Sequence, residues 1–225
     1  MAAKTKIPAK RILIVDDHPM MRNGLAQLIG NEPDLKVCAE AGTAGQAIDI
    51  VTKQKFDLAL LDISLPDKSG LELIKDIRAL QPELPVLIVS MHDEMIYAER
   101  VLRAGGRGYI MKQAGGEKFL AAIRQVLSGQ IYVSEHMSAR ILEVFSGRQP
   151  TSHSSSPVRT LSDREFEVFQ LIGQGIGTRE IAAKLHLSVK TVEVHRANIK
   201  EKLALKTATE LVRYAVRWVD SQAQR

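Results

Sequence analysis

"RILIVDDHPMMRNG", residues 11–24, decides the fold of the first half of the chain. Its apolar run, residues 12–15, holds no side chain suited to water, so a strand formed there must be covered on both faces. The run then ends in two adjacent carboxylates, Asp16 and Asp17. Like charges at the end of a buried strand are unfavourable unless a cation is shared between them.

Four more short apolar runs follow, at 37–41, 58–62, 85–90 and 108–111. Segments at 18–29, 44–53, 70–80, 94–104 and 116–128 space their apolar residues by three and four, the period of an amphipathic helix. Strands and helices in alternation predict an α/β doubly wound, five-stranded parallel sheet with helices on both faces. Residues 134–147 predict a further helix. "GRQPTSHSSSPVR", 147–159, has Val158 as its only large apolar residue and reads as a solvated linker. Beyond it the pattern is helical throughout. "SDRE" at 162–165 and "TATE" at 207–210 read as capping boxes. Thr178 and Ser188 read as N-caps, with Gly175 and Gly177 closing the first of four helices. The expected organisation is a sheet domain over 10–130, a connecting helix and linker over 131–159, and an all-α domain over 160–220.

Composition narrows the function. At 225 residues and 45% hydrophobic content the chain can bury two cores. Residues 1–146 hold 18 Lys plus Arg and 18 Asp plus Glu, whereas 147–225 hold 13 against 8. The whole net charge of +5 therefore lies in the last third and points to an anionic partner. A single cysteine, Cys38, excludes an internal disulfide and fits a reducing compartment. No apolar run reaches membrane-span length, and the basic start "MAAKTKIPAK" lacks the apolar stretch of a signal peptide. A cytoplasmic protein without membrane contact is expected.

In an open parallel sheet, the loops at the carboxyl ends of the strands converge on a ligand crevice. The polar residues at those ends are Asp16 and Asp17, then Asp62, Ser90 and Lys112. Three clustered carboxylates suit a hard divalent cation, and Mg2+ normally takes only one or two of them directly. A carboxylate beside Mg2+ can attack phosphorus and form an aspartyl phosphate. Lys112 would then pair with one phosphoryl oxygen and the Ser90 hydroxyl would hydrogen-bond another.

"ILIVDDHPMMRNGL", "DLALLDISLPDKSGLEL", "PVLIVS" and "RAGGRGYIMK" resemble, in order and spacing, the receiver domain of two-component response regulators. The resemblance covers about residues 10–130 and implies a flavodoxin-like receiver fold. It implies Asp62 as phosphoacceptor, and Asp16 and Asp17 as holders of Mg2+, with Asp17 the more direct ligand. The Ser64 backbone carbonyl would complete the coordination, and Ser90 and Lys112 would read the phosphoryl group. Tyr109 holds the position whose ring moves inward when Ser90 shifts. Ser64 and His92 would lie beside the acceptor. The sequence departs from the pattern at Gln113, where many receivers have a proline after the lysine. The bond there is commonly cis, which costs about 3 kcal/mol without proline.

"TREIAAKLHLSVKTVEVHRANIKEKL", 178–203, reads as helix, short turn, helix, the layout of a helix-turn-helix. At 100° per residue the second helix puts Val192, His195, Ile199 and Leu203 on a packed face. The opposite face carries Lys190, Glu193, Val194, Ala197 and Glu201, with Lys200 at its flank. Val194 and Ala197 suit thymine methyl groups, and Glu193 a cytosine amino group. Lys190, Arg196, Asn198 and Lys200 suit phosphates, and Thr191 belongs to the same surface. Seven Lys plus Arg against three Glu over 178–206 fit salt-sensitive binding. With "LSDREFEVFQLIGQG" and "TATELVRYAVRWV", residues 158–220 resemble the four-helix LuxR-type domain of the NarL/FixJ regulators. In that family the last helix dimerises, and Leu211, Val212, Ala215 and Val219 would supply the face, with Trp218 packing inside.

Together the two resemblances imply a transcriptional regulator rather than an enzyme. A sensor histidine kinase would pass a phosphoryl group to Asp62 with Mg2+, and the protein would bind paired half-sites on double-stranded DNA as a phosphorylated homodimer. A phosphatase of the haloacid dehalogenase type needs a second acid two residues after the nucleophile, where this chain has Ser64. A dinucleotide-binding fold needs a glycine loop where this chain has "DDHPMM". A regulator of the same fold that works without phosphorylation stays open, although the full set of five residues argues against it.

Overall fold

The computed structural model describes residues 8–145, 157–185 and 187–223. It divides into two compact units, Met1–Ala139 and Arg140–Arg225. In the first, five strands, β1 (Lys10–Val15), β2 (Leu35–Ala41), β3 (Leu58–Leu61), β4 (Val86–Ser90) and β5 (Gly108–Met111), alternate with five helices. These are α1 (Pro19–Gly30), α2 (Ala44–Lys53), α3 (Gly70–Leu80), α4 (Glu94–Ala104) and α5 (Gly116–Leu127). All strand pairs are parallel, in the order β2-β1-β3-β4-β5. The order reverses between β1 and β3, and that is where a crevice opens in such a sheet.

The uninterrupted apolar strands are explained by what covers them. Ile12, Ile14, Leu58, Leu60, Leu87, Val89 and Ile110 pack against Leu25 and Ile29 of α1 and Phe119, Ala122, Ile123 and Val126 of α5. Because side chains alternate along a strand, Leu13, Val15, Ala59, Leu61 and Ile88 point to the other face, and all are buried. β1 starts two residues earlier than its apolar run, and β2 likewise begins at Leu35, because Lys10 pairs with Leu35 on the sheet edge. Cys38 lies half-buried in β2 at the shift of register opposite Ile12 and Leu13.

The first unit runs further than residue 130. Tyr132 forms a bridge beside Gly108 of β5, and α6 (Glu135–Phe145) starts shortly after it. The expected linker is also shorter at its far end. Pro157–Thr160 is a 3₁₀ turn, and Val158 is buried. The rest of that linker, 147–156, lies outside the described residues.

The second unit holds α7 (Asp163–Gly173), α8 (Thr178–Lys184), α9 (Val189–Lys202) and α10 (Ala208–Ala223). Ser162 and Glu165 form the full capping box of α7. At α10 the reciprocal bond is displaced: Glu210 N–H donates to Thr207 Oγ1, but the Glu210 carboxylate accepts from Lys206 N–H. The cap of α8 is Gly177 rather than Thr178, which takes the first helical position, while Gly175 (φ +80°) ends the turn after α7. Trp218 meets Phe166 and Phe169 edge-on, with ring centroids 5.6 Å apart in both pairs.

One close approach fixes the loop after β3. A Cβ on Gly70 would lie 2.4 Å from the Asp62 carbonyl oxygen and 2.7 Å from Ile63 Cα, both of them backbone atoms that cannot swing aside. Gly70 N–H donates to Ile63 O at 2.8 Å across the same gap. Gly70→Ala is therefore expected to destabilise the sheet unit by about 1–3 kcal/mol, the usual cost of overpacking, read as a lower urea midpoint at unchanged slope. An unchanged midpoint would show that the loop relaxes freely.

Candidate functional site

Backbone ladders carry the site residues to one place. Asp62 N–H donates to Val15 O at 2.7 Å, which continues the β1–β3 ladder by one step. Lys112 N–H donates to Ser90 O at 2.7 Å and does the same for β4–β5. Asp16 N–H donates to Ala41 O at 3.1 Å. Each chemically active side chain thus sits on or just beyond the last bond of a buried strand, where its position is set by the sheet.

At the centre lies Lys112. Its Nζ is 2.6 Å from Asp16 Oδ2 and 2.7 Å from Asp62 Oδ2, and all three side chains are nearly closed to solvent. Burial pushes the Asp62 carboxyl above its ordinary range; Lys112 pulls it back in part, and the charge of Asp16 pushes it up again. Burial by itself would lower the Lys112 ammonium, but the Asp16 and Asp62 carboxylates beside it more than reverse this, so the lysine stays charged. Asp17 is more open, and His18 Nδ1 lies 2.6 Å from its Oδ1. Donor atoms of Asp16, Asp17, His18 and Asp62 all lie within 4.8 Å of one another. Three carboxylates with one ammonium between them leave net negative charge, and hard oxygen donors on an open side fit a divalent cation of the Mg2+ class.

The surrounding polar groups form a second connected set. Ser64 N–H donates to Asp62 Oδ1 at 3.3 Å, and Ser64 Oγ lies 2.9 Å from His92 Nε2. Ser90 Oγ accepts His92 N–H at 3.1 Å, and Tyr109 donates its hydroxyl to His92 O at 2.7 Å. The Tyr109 ring, expected to swing inward on a shift of Ser90, is already buried, and burial pushes its phenol well above the ordinary range. Among the described residues no peptide bond is cis, so the bond after Lys112 is trans.

Two residues that the sequence reading passed over also hold the site. Arg22 Nη1 donates to the Asp16 carbonyl at 2.6 Å. Asp67 accepts from Ala44 N–H and Gly45 N–H, both at 2.8 Å, and pins the β3–α3 loop to the start of α2. The only signal for either was a charged residue at a helix or loop position, which is common everywhere.

In the second unit, α8 and α9 form the helix-turn-helix. Val192, Ile199 and Leu203 are buried as projected, and His195 is half-buried. Lys190, Glu193, Val194, Ala197 and Asn198 are exposed, while Arg196 and Lys200 are partly so. Thr191 is committed locally, since its Oγ1 lies 2.7 Å from Ser188 Oγ in the cap of α9. The expected dimer face needs correction. Leu211 and Ala215 are fully buried. Ala215 lies on the side of α10 that meets α7, where a Cβ on Gly173 would come within 2.6 Å of Ala215 O and 2.4 Å of Val219 Cγ2. Val212 is the member of that group left exposed.

A receiver crevice on one unit and a helix-turn-helix on the other match two family models. Residues 12–124 match the response regulator receiver domain, and residues 159–215 match the bacterial regulatory proteins of the luxR family. The chain belongs to the response regulators with a LuxR-type DNA-binding domain. This regulator is 40% identical over 210 residues to the oxygen regulatory protein NreC of Staphylococcus aureus, covering 92% of this chain and 97% of that one. Among solved structures it is similar to RcsB of Salmonella enterica serovar Typhimurium bound to promoter rprA with the phosphomimetic BeF3-. That match has 25% identity and a TM-score of 0.64, and covers 92% of this chain and 98% of RcsB. It is also similar to a LuxR-family response regulator from Aurantimonas sp. SI85-9A1, at 32% identity and TM-score 0.57, over 61% of this chain and 99% of that one. Among the described residues no helix of the regulator is long and apolar enough to cross a membrane.

The raised Asp62 carboxyl carries a testable sign. Its ionised form is less favoured in the folded receiver than in the unfolded chain, so at neutral pH and without metal it subtracts stability. That penalty vanishes as the pH falls from the raised folded pKa to the unfolded value of 3.8. Asp62→Asn is expected to raise the Tm of the receiver at pH 7.5 in metal-free buffer, with a gain that shrinks towards pH 4. An equal or lower Tm at pH 7.5 would refute the assignment of strain to this carboxylate.

Proposed function

We propose that the protein is a phosphorylation-switched transcription factor that works in the cytoplasm, with Asp62 as the acceptor of a phosphoryl group from a sensor histidine kinase. The observation that carries this reading is the placing of Lys112 Nζ between Asp16 and Asp62 at 2.6 and 2.7 Å, with Ser90 at the end of the neighbouring strand. An Asp62 oxygen attacks phosphorus, the bond from phosphorus to the donor histidine nitrogen breaks, and an acyl phosphate forms. Lys112 then moves its contact from the carboxylate to a phosphoryl oxygen, and Ser90 donates its hydroxyl to another. Asp16, Asp17, Asp62 and the Ser64 carbonyl would hold Mg2+, Asp17 the most directly. When bound, the ion offsets the negative charge gathered on the phosphoryl oxygens. The protein does no chemistry on other substrates in this reading.

The DNA contact is assigned to the outward face of α9. Lys190, Arg196, Asn198 and Lys200 would meet phosphates, Thr191 would support the start of the helix, and Glu193, Val194 and Ala197 would face base edges. Two copies would bind paired half-sites. Their contact through α10 would use the outward strip at Val212, since Leu211 and Ala215 are spent inside the domain.

Intact mass after acetyl phosphate and Mg2+ tests the first half of this reading. A gain of one phosphoryl mass is expected, absent in Asp62→Asn and absent with a chelator; a gain that survives in Asp62→Asn would move the acceptor elsewhere. The second half is tested on duplexes selected from a random pool. Lys190→Ala should weaken binding across sequences and lower the salt slope by about 1, while Glu193→Ala should change the sequence selected. Unaltered binding in both variants would remove α9 from the interface.

A further inference from the structure

Glu94 is a buried carboxylate that the phosphoryl chemistry does not use. It opens α4, and its Oε1 accepts Ser134 N–H at 2.7 Å, across 40 residues of sequence. Ser134 is in turn the start of α6. Its Oγ accepts Met137 N–H at 3.1 Å, its carbonyl accepts Ser138 N–H at 2.9 Å, and Met137 is buried. The helix that leaves the receiver therefore begins on a residue held by the first residue of α4.

The same stretch is gripped at a second point. Tyr132 N–H donates to Arg107 O at 3.0 Å, and Tyr132 O accepts Tyr109 N–H at 2.9 Å. Gly108 makes room for this pairing, because a Cβ there would lie 2.7 Å from Tyr132 O. Both grips belong to elements that touch the Ser90 group. The backbone of His92 is held on both sides, its N–H donating to Ser90 Oγ and its carbonyl accepting from the Tyr109 hydroxyl. Asp93, the next residue, caps α4 by accepting Met95 N–H at 2.9 Å, and Glu94 follows it directly. Tyr109 takes part twice, with its side chain on His92 and its backbone on Tyr132.

We propose that Glu94 is a positioning residue that passes the state of the Ser90–His92–Tyr109 group to α6, and so to the chain leading into the DNA-binding unit. This rests on Asp62 being the phosphoacceptor. A Ser90 hydroxyl drawn towards a phosphoryl oxygen pulls on His92 N–H, and residues 91–93 shift with it. The capped first turn of α4 moves as a piece and takes the Glu94 carboxylate along. Hydrogen bonds weaken steeply with distance and angle, so a small displacement at Glu94 changes the hold on Ser134. Two contiguous backbone segments joined by one side chain form the physical connection that such coupling requires.

The test uses the full chain with acetyl phosphate and Mg2+, comparing wild type, Glu94→Ala, Glu94→Gln and Asp62→Asn. Intact mass reports phosphorylation, and amide hydrogen exchange over residues 132–139 reports the grip. In wild type, exchange over 132–139 is expected to change several-fold on phosphorylation. Glu94→Ala should gain the same phosphoryl mass but lose that change. Glu94→Gln, whose amide oxygen can still accept from Ser134 N–H, should keep it, and a merely structural role for Glu94 would not give this split. The inference is overturned if phosphorylated Glu94→Ala keeps the wild-type change, or if phosphorylated wild type shows none. Absence of any mass gain in wild type would overturn the Asp62 reading, and this inference with it.

Discussion

Everything at the receiver site depends on one ammonium group shared by two buried carboxylates. Lys112 sits between Asp16 and Asp62 because the sheet ends there on both sides, and the last ladder bonds set the backbone of each. A buried ion pair of this kind is weak evidence of net stability, since desolvation consumes most of the Coulomb gain. Its value here is poise. Burial and the charge of Asp16 hold the Asp62 carboxyl above its ordinary range, while Lys112 stays charged beside it. Arg22 and Asp67 steady the frame from the outside, one on the Asp16 carbonyl and the other on the start of α2.

Much of this was legible in the sequence, for identifiable reasons. A strand covered on both faces has to be apolar throughout, so 12–15, 58–61 and 86–89 announce themselves, and the first polar residue after each falls in the crevice. What stayed hidden depends on partners far apart in the chain. Nothing near Glu94 foretells Ser134, and nothing near Asp67 foretells Gly45. The close pass of Gly70 over Asp62 is equally silent, because a glycine before a helix has many other uses. The error at α10 has a different origin. An apolar stripe spaced by three and four looks the same whether it meets another helix of its own domain or a second copy, and here Leu211 and Ala215 are buried within the domain. Thr178 failed as a cap because Gly177, one place earlier, takes the extended conformation that the cap requires.

The DNA-binding unit is held by a small polar device of its own. Glu165 accepts Ser162 N–H at 2.7 Å to close the capping box, and the same oxygen lies 2.6 Å from Lys202 Nζ near the end of α9. Burial pushes the Glu165 carboxyl up, but Lys202 and Ser162 outweigh it and hold the group below the ordinary carboxylate range. One side chain thereby ties the start of α7 to the far end of the helix proposed to enter the groove. The angle between those helices is then set by a charge pair as well as by Val192 and Ile199 in the core.

The strand-like pairing of Tyr132 beside β5 bears on how the protein can be taken apart. A cut at residue 130, where the helical pattern of α5 has run out, would strip Tyr109 N–H of its acceptor and leave the Glu94 carboxylate without its donor. It would also expose the edge of β5, and an open strand edge invites other chains to pair with it. The smallest piece of the receiver that keeps its own edges closed therefore extends through the first turn of α6. A truncation that ends before that turn cuts into the sheet itself, although no strand of the regular alternation lies beyond β5.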